Sequence, residues 1–221
     1  MVIGLSCAPY VSKMRILILI LITFNGWCQT TLDYQIYSIV IEDNVERNTK
    51  FKDKVTRVLI FNQLIPNGNI VEYYGESFYE LDDNIRYSLL FYDTATIKLI
   101  ESPSIKEGLL TLEQQFLKTP NLDETKFNLK LDVSTIPKHQ FDEYFKSKSG
   151  NKVTKGWKKF YRKNPYVFGI YGLSKIIYVD NYALFYMEHS AYGLFGSGDI
   201  IILQNNDEDW KIIKTLNIWK S

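Results

Sequence analysis

Residues 182–219 decide the fold, and they read YALFYMEHSAYGLFGSGDIIILQNNDEDWKIIKTLNIW. Apolar, β-branched and aromatic runs at 182–191, 199–204 and 210–219 are separated by a glycine-rich segment and by an acidic tip at 205–209. Another strand-like run, 173–179, precedes them across an Asp-Asn turn. Short connections join antiparallel neighbours. The pattern therefore predicts a four-stranded antiparallel β-meander at the C-terminal end.

Two details of the meander are also predicted. Gly196-Ser197-Gly198 is interpreted as a bend before the third strand, because glycine interrupts strands. The closing strand should bury one strip of large apolar side chains, since alternate residues of a strand share a face. The strip consists of Trp210, Ile212 and Leu216.

Helical and strand-like patterns mix upstream of the meander. Apolar spacing predicts helices over 32–45, 105–117 and 153–163, and a further helix capped by Ser134 or Thr135. Residues 55–65 and 70–74 predict a hairpin, residues 126–133 a half-buried strand, and residues 81–99 fit a helix or a strand. No linker is visible. We therefore predict one α+β domain over residues 29–221, its antiparallel meander packed against helices.

The first 28 residues predict export. Met14-Arg15 precede the apolar run 16–24, and Gly26 and Cys28 are small residues two apart ahead of Gln29. A short basic start, an apolar stretch of roughly 7–15 residues and such a small pair are typical of a secretory signal peptide. We expect a signal peptide at residues 1–28, with Met14 as an alternative start. The protein would then be secreted across the inner membrane, to the periplasm or outside the cell.

Two alternatives compete with simple secretion. A membrane anchor needs about 20 apolar residues, far more than the run 16–24 supplies. A lipoprotein would carry its lipid on Cys28, but Trp27 stands where such signals have a small residue. Secretion without a lipid is therefore favoured over both alternatives.

Composition narrows the classes of function. Both cysteines lie within residues 1–28, so the mature chain can form no disulfide and must rely on a packed core. Lys13 and Arg15 leave as well, and the formal net charge falls from +1 to about −1. Such near-neutrality argues against nucleic-acid binding. The mature chain has no cysteine, and His139 and His189 are its two histidines. Structural zinc is bound mainly by cysteine and histidine, so neither a structural zinc site nor another cofactor is expected.

The C-terminal third also carries a resemblance. Its elements are Gly156-Trp157, Pro165, Leu173-Ser174, Gly196-Ser197-Gly198, Trp210-Lys211-Ile212 and Trp219-Lys220-Ser221. Over residues 154–221 they resemble a pattern in uncharacterised secreted proteins of Bacteroidota-type bacteria. This resemblance implies an envelope location and carries over no activity. The antiparallel sheet with its Trp-Lys-Ile strand is also similar to small α+β cones of the nuclear-transport-factor-2-like kind.

His189 and Glu188 are the candidates for catalysis. As neighbours on a strand they point to opposite faces, so they cannot form a direct pair. A hydrolase using them as general acid and base is the enzymatic alternative. The simpler interpretation is a lone histidine on the wetter face of the sheet. An envelope scaffold or accessory protein is a third alternative.

Tyrosines crowd the same region, and aromatic rings with polar tips suit a groove for a glycan or a peptide. The favoured prediction is therefore a non-catalytic binding domain with an aromatic groove against the meander. Its candidate lining residues are Trp157, Tyr182, Tyr186 and Tyr192.

The helix over 153–163 has an aromatic face and a cationic face. The simpler interpretation packs the aromatic face on the sheet and leaves the cations in solvent. The functional interpretation makes the cationic face a dock for an anionic glycan or anionic lipid headgroups. Its candidate residues are Lys155, Lys158, Lys159, Arg162 and Lys163.

Overall fold

The computed structural model describes residues 30–48, 55–66, 93–113, 120–146, 152–192, 195–207 and 209–221. The predicted signal segment, residues 1–28, lies outside them. In these ranges no helix is both long enough and apolar enough to cross a membrane. The elements, in chain order, are α1 (Thr31–Arg47), β1 (Arg57–Phe61), α2 (Thr94–Ile100), α3 (Pro103–Glu113), β2 (Asp132–Ile136), α4 (Lys138–Asp142), α5 (Lys152–Lys163), β3 (Val167–Leu173), β4 (Ile177–Val179), β5 (Tyr182–Ala191), β6 (Phe195–Asn206) and β7 (Asp209–Lys220).

A seven-stranded mixed sheet organises these elements. Its strand order is β2-β1-β3-β5-β6-β7, and β4 pairs with the first residues of β5. β1 runs parallel to both β2 and β3. The C-terminal strands β5, β6 and β7 pair antiparallel through short turns, and β3 pairs antiparallel with β5. The α+β class and the antiparallel C-terminal meander are thus confirmed.

Successive side chains along each strand point to opposite faces of the sheet, so the sheet contributes side chains to two hydrophobic cores. On one side, Leu109 of α3 and Phe160 of α5 pack with Ile200; we name this side the α5 face. On the other side, Ile36 of α1 packs with Ile201; we name it the α1 face. The sheet is therefore the middle layer of three, with helices on both sides.

The helix predicted over 32–45 is confirmed by α1. Thr30 and Asp33 form a capping box at its start, where the Thr30 hydroxyl accepts from the Asp33 amide at 3.2 Å. At its sheet side, the Tyr37 hydroxyl donates to the buried Ser174 carbonyl at 2.7 Å. This bond ties α1 to the end of β3.

The predicted hairpin over 55–74 is not formed by β1. Both edges of β1 are already paired, with β2 and β3, and the returning arm at 70–74 lies outside the described residues. The alternation over 126–133 also has another cause. Most of this segment precedes β2, and its apolar side chains pack on the α1-face core without being a strand. The alternation of apolar and polar residues there reflects the burial of one side of the segment and not pairing with another strand.

Two short helices have local causes. Residues 81–99 fit a helix or a strand; residues 81–92 lie outside the described ranges, and residues 94–100 form the helix α2, which the Asp93 carboxylate caps by accepting from the Thr96 amide at 2.6 Å. Ser134 and Thr135 do not cap a helix. They belong to β2, and α4 starts after Pro137.

The glycines of the 196–198 segment lie inside β6 rather than in a bend before it. A Cβ atom at Gly198 would collide with the Trp219 indole and the Tyr186 hydroxyl. Without that atom, Trp219 Nε1 donates to the Tyr186 hydroxyl at 2.7 Å. Glycine is needed here for the close approach of two aromatic side chains.

The expected single strip on β7 is wrong. Trp210 and Ile212 pack on the α1 face, whereas Leu216 packs on the α5 face. The cause is a β-bulge at Ile213, which has no partner in the register between β6 and β7. One extra residue reverses the alternation of side chains over the next residues, up to a second irregularity at Ile218.

The run 173–179, predicted as one strand, is interrupted at Ser174. Its amide donates to the Tyr186 carbonyl at 2.9 Å, and its hydroxyl accepts from the Tyr186 amide at 2.8 Å. The hydroxyl thus takes the place of a backbone acceptor between β3 and β4. Since Ser174 is fully buried, no water can replace it.

We expect Ser174→Ala to lower the free energy of unfolding by about 1–3 kcal/mol, because it leaves the buried Tyr186 amide without its acceptor. Urea unfolding of the variant and the parent measures the difference. Ser190→Ala, at a half-buried serine of β5, is the control. Equal stability losses in the two variants would contradict a special role for the Ser174 hydroxyl.

Candidate functional site

The four residues of the predicted aromatic groove do not come together. Tyr186 is fully buried in the α5-face core, and Trp157 is only 6% exposed. Tyr182 and Tyr192 lie at opposite ends of β5, on the order of 30 Å apart at the rise of a strand. Of the four, Tyr192 presents most of its surface to solvent, at 56% exposed.

Tyr192 is held in place by α5. Its ring stacks on that of Tyr161, with centroids 4.0 Å apart and planes at 11°. Tyr161 in turn stacks on Trp157 at 5.6 Å and 25°. We name Trp157, Tyr161 and Tyr192 the aromatic stack. It runs from the α5-face core out to solvent, where Tyr192 is its last ring.

The Tyr161 hydroxyl strengthens this arrangement. It accepts from the Tyr192 amide at 3.4 Å, which ties the end of β5 to the helix. Burial raises the pKa of the Tyr161 phenol well above its ordinary value of 10.0. Tyr161 therefore stays neutral over the physiological pH range, and the stack does not titrate at this ring.

The outer face of α5 is cationic. The five predicted cations, Lys155 to Lys163, are all exposed, while Trp157 and Phe160 on the opposite side are buried. The amphipathic division predicted from the sequence is therefore present. The helix sequence 152–163 itself contains no aspartate or glutamate. Outside the helix, Glu143 is close enough to Lys159 for the two charges to attract each other.

The cations fall into two groups around the helix. Lys159 and Lys163 each place Nζ 5.8 Å from the centroid of the Tyr144 ring, within reach of a cation–π interaction. Lys158 lies three residues before Tyr161 and four before Arg162, so it neighbours both on the helix surface. Lys158 therefore lies beside Tyr161 of the aromatic stack, and Arg162 lies one turn further on in the same row.

His189 is a core residue rather than one on a wetter face, since it is only 2% exposed. Its ring lies parallel to those of Phe168 and Tyr171, at 5.0 and 4.6 Å. Its Nε2 atom lies above Gly169, where a Cβ atom would be 2.7 Å away. Burial lowers the pKa of His189 to about 4, and Nε2 has no hydrogen-bond partner in the described part of the chain.

Glu188 faces the other core. It accepts from the Tyr186 hydroxyl at 3.2 Å on the α5 face, and glycines, Gly172 and Gly198, pair with it on both neighbouring strands. The sheet backbone separates Glu188 from the imidazole of His189. The geometry therefore does not assemble an acid–base pair from these two residues.

A serine and an aspartate of β6 lie near His189 in the sheet. Ser197 pairs with His189 across β5 and β6, but its hydroxyl donates to Asp199 at 2.8 Å. His189 Nε2 lies instead over Gly169 on the opposite neighbouring strand, β3. The base is thus directed away from the hydroxyl, and the three side chains do not form a nucleophile–base–acid array.

Metal ligands do not converge in the described ranges, where no three His, Cys, Asp or Glu side chains are grouped to hold an ion. The acidic tip is a tight connection in which Asn206 pairs with Asp209. Asp207 at the tip is exposed and has a φ of 54°. A solvated hairpin tip accounts for this segment.

Comparisons with protein-family models, with curated proteins and with solved structures give no match. The resemblances to secreted Bacteroidota-type proteins and to nuclear-transport-factor-2-like cones stay predictions. The function is therefore argued from the side chains of this chain.

Proposed function

We propose that this chain is a secreted, non-catalytic binding domain of the bacterial envelope that attaches to an anionic partner through the outer face of α5. Export is supported by the signal-peptide pattern of residues 1–28. Binding is supported by the clustering of exposed cations on the outer face of α5.

The stability of the helix explains only part of this pattern: Arg162 and Lys163 in the last turn interact favourably with the helix dipole, but the spacing of the cations is unfavourable. Lys155 and Lys159, Lys158 and Arg162, and Lys159 and Lys163 are spaced four residues apart. Like charges at this spacing destabilise a helix by roughly 0.2–0.5 kcal/mol for each pair. An anionic partner would remove this repulsion and gain favourable contacts at the same time. The charge pattern therefore favours a binding surface over a merely solvated one.

Catalysis is the weaker alternative. The proposed hydrolase needs His189 and Glu188 at one reacting centre, and the backbone of β5 separates them. His189 is also buried among rings, so a substrate cannot reach Nε2 without opening the core. A scaffold without a ligand, the third alternative, would not need a cationic helix face.

Charge reversal tests the proposal. We expect the parent protein to bind polyanions at low salt, and Lys155→Glu, Lys159→Glu and Arg162→Glu together to weaken binding about tenfold or more. The aromatic side of α5 is untouched, so the melting temperature should change little. Biolayer interferometry measures the affinity on immobilised polygalacturonate and on vesicles containing phosphatidylglycerol, at low and high salt.

The control variant reverses three exposed lysines elsewhere, Lys98, Lys106 and Lys175, and so changes the net charge equally. It should bind more tightly than the α5 variant. If the parent binds neither surface at low salt, or the two variants behave alike, the α5 face is not a binding surface.

A further inference from the structure

The end of the aromatic stack has the form of a platform. Tyr192 is 56% exposed, yet its ring is fixed by stacking on Tyr161 and its amide is bonded to the Tyr161 hydroxyl. A ring ordered before binding loses little conformational entropy when a ligand contacts it. Such a surface suits the face of a ring-shaped ligand group better than an open-chain group.

Two cations stand beside this platform. Lys158 is exposed and lies three residues before Tyr161, so it neighbours that ring on the helix surface, and the exposed Arg162 lies one turn further on in the row that starts at Lys158. The described residues contain no ion pair of either side chain. A guanidinium binds a carboxylate through two parallel hydrogen bonds, and an ammonium adds a point charge. The pair is therefore suited to a carboxylate attached to a ring that lies on Tyr192.

A membrane surface fits this arrangement less well. Amphipathic helices that lie in a membrane interface insert their apolar side chains below the headgroups. In α5 those side chains, Trp157 and Phe160, are 6% and 0% exposed and belong to the protein core. Val153 in the first turn, at 41% exposed, is a single apolar side chain and does not form an apolar face that could insert. A neutral glycan fits less well too, because it would leave the cations unused.

We infer that the anionic partner is an acidic polysaccharide, in which a sugar ring stacks on Tyr192 while its carboxylate is bound by Lys158 and Arg162. The inference rests on the proposed function and names the chemical class of its ligand. Lys155 lies one turn before Lys158 and extends the cationic row for the next charged sugar.

Polygalacturonate is the probe, with dextran as the neutral polymer and phosphatidylglycerol vesicles as the lipid surface. We expect Tyr192→Ala to weaken polygalacturonate binding about tenfold, and Tyr192→Phe to retain it. Lys158→Gln with Arg162→Gln should weaken binding and reduce its salt dependence. Affinities come from isothermal titration calorimetry, with the melting temperature of every variant measured in parallel.

Matched controls separate this site from general surface effects. Phe195→Ala removes an aromatic ring of equal exposure, 56%, that lies toward His189 on the other face. Lys98→Gln with Lys175→Gln removes two exposed lysines outside α5. Both controls should bind better than the site variants.

The outcomes separate the ligand class from the proposed function. Vesicle binding without polygalacturonate binding would overturn the glycan inference and leave the binding function standing. Equal polygalacturonate binding by Tyr192→Ala and the parent would overturn the stacking site. If the parent protein binds neither polygalacturonate nor the vesicles, the proposed function and the inference are both overturned.

Discussion

Phe160→Ala is expected to lower the free energy of unfolding by about 3–5 kcal/mol. The Phe160 ring is fully buried at the centre of an aromatic cluster that joins α5 to the rest of the protein. It packs in edge-to-face contacts with four rings at centroid distances of 5.1–5.5 Å, those of Phe141, Tyr144, Trp157 and Tyr161. Truncation would leave a cavity that these rigid rings cannot fill without losing their mutual contacts.

Chemical unfolding in urea measures the effect, since a small cooperative domain gives a single midpoint. Phe195→Ala is the control, because that ring is 56% exposed and its loss should change stability by no more than about 0.5 kcal/mol. Equal midpoints for the two variants would mean that α5 does not contribute to the core. Because Phe160 supports Tyr161, the same truncation should also weaken ligand binding at Tyr192.

The parts of the fold that the sequence predicted are those formed by local pairing. β5, β6 and β7 follow one another through short turns, so their order and direction could be derived from spacing. β1 could not be placed in the same way, because its partners β2 and β3 are far along the chain and parallel to it. The sequence does indicate that β1 is covered on both faces, because Val58 to Phe61 form a continuous apolar run, which is typical of such a strand.

The position of His189 shows a second limit of prediction from the sequence. Alternation along β5 correctly separates His189 from Glu188, but alternation cannot say whether a second layer covers the opposite face. The wetter-face interpretation assumed a sheet with one solvated side. α1 covers that side: the hydroxyl of Tyr171, whose ring lies beside His189, donates to Asn44 Oδ1 of α1 at 3.0 Å.

The candidate site combines elements that only the tertiary structure brings together. The cationic face of α5 could be derived from the sequence because it depends on helical spacing alone. Tyr192 stacks on α5 because the turn after β5 reaches the helix, and no local pattern contains that contact. The spacing of four residues between Trp157 and Tyr161 indicates neighbouring rings on the helix, but it cannot indicate that Tyr161 also stacks on Tyr192.

His189 should make the protein less stable as the pH falls from about 6.5 to about 4. Burial among Phe168, Tyr171 and Gly169 lowers the pKa of the imidazole from 6.5 to about 4 in the folded state. Between these values the unfolded chain binds a proton that the folded chain does not, so acid favours unfolding. At about 1.4 kcal/mol for each pKa unit, the full loss is about 3 kcal/mol and is reached near pH 4.

Urea unfolding at pH 7, 6, 5 and 4.5 measures this loss. Some carboxylates also affect stability in acid. Hydrogen bonds from Thr96 stabilise the charged form of Asp93 and lower its pKa. Such carboxylates lose their contribution to the free energy of unfolding only below about pH 4. The window from pH 6.5 to 4.5 therefore reports mainly on His189. His189→Phe keeps a planar ring but cannot titrate, and its stability should change little across the window. His139→Gln, at an exposed histidine, should retain the parent's pH dependence. A parent protein equally stable at pH 7 and 4.5 would contradict a neutral imidazole buried in the α1-face core.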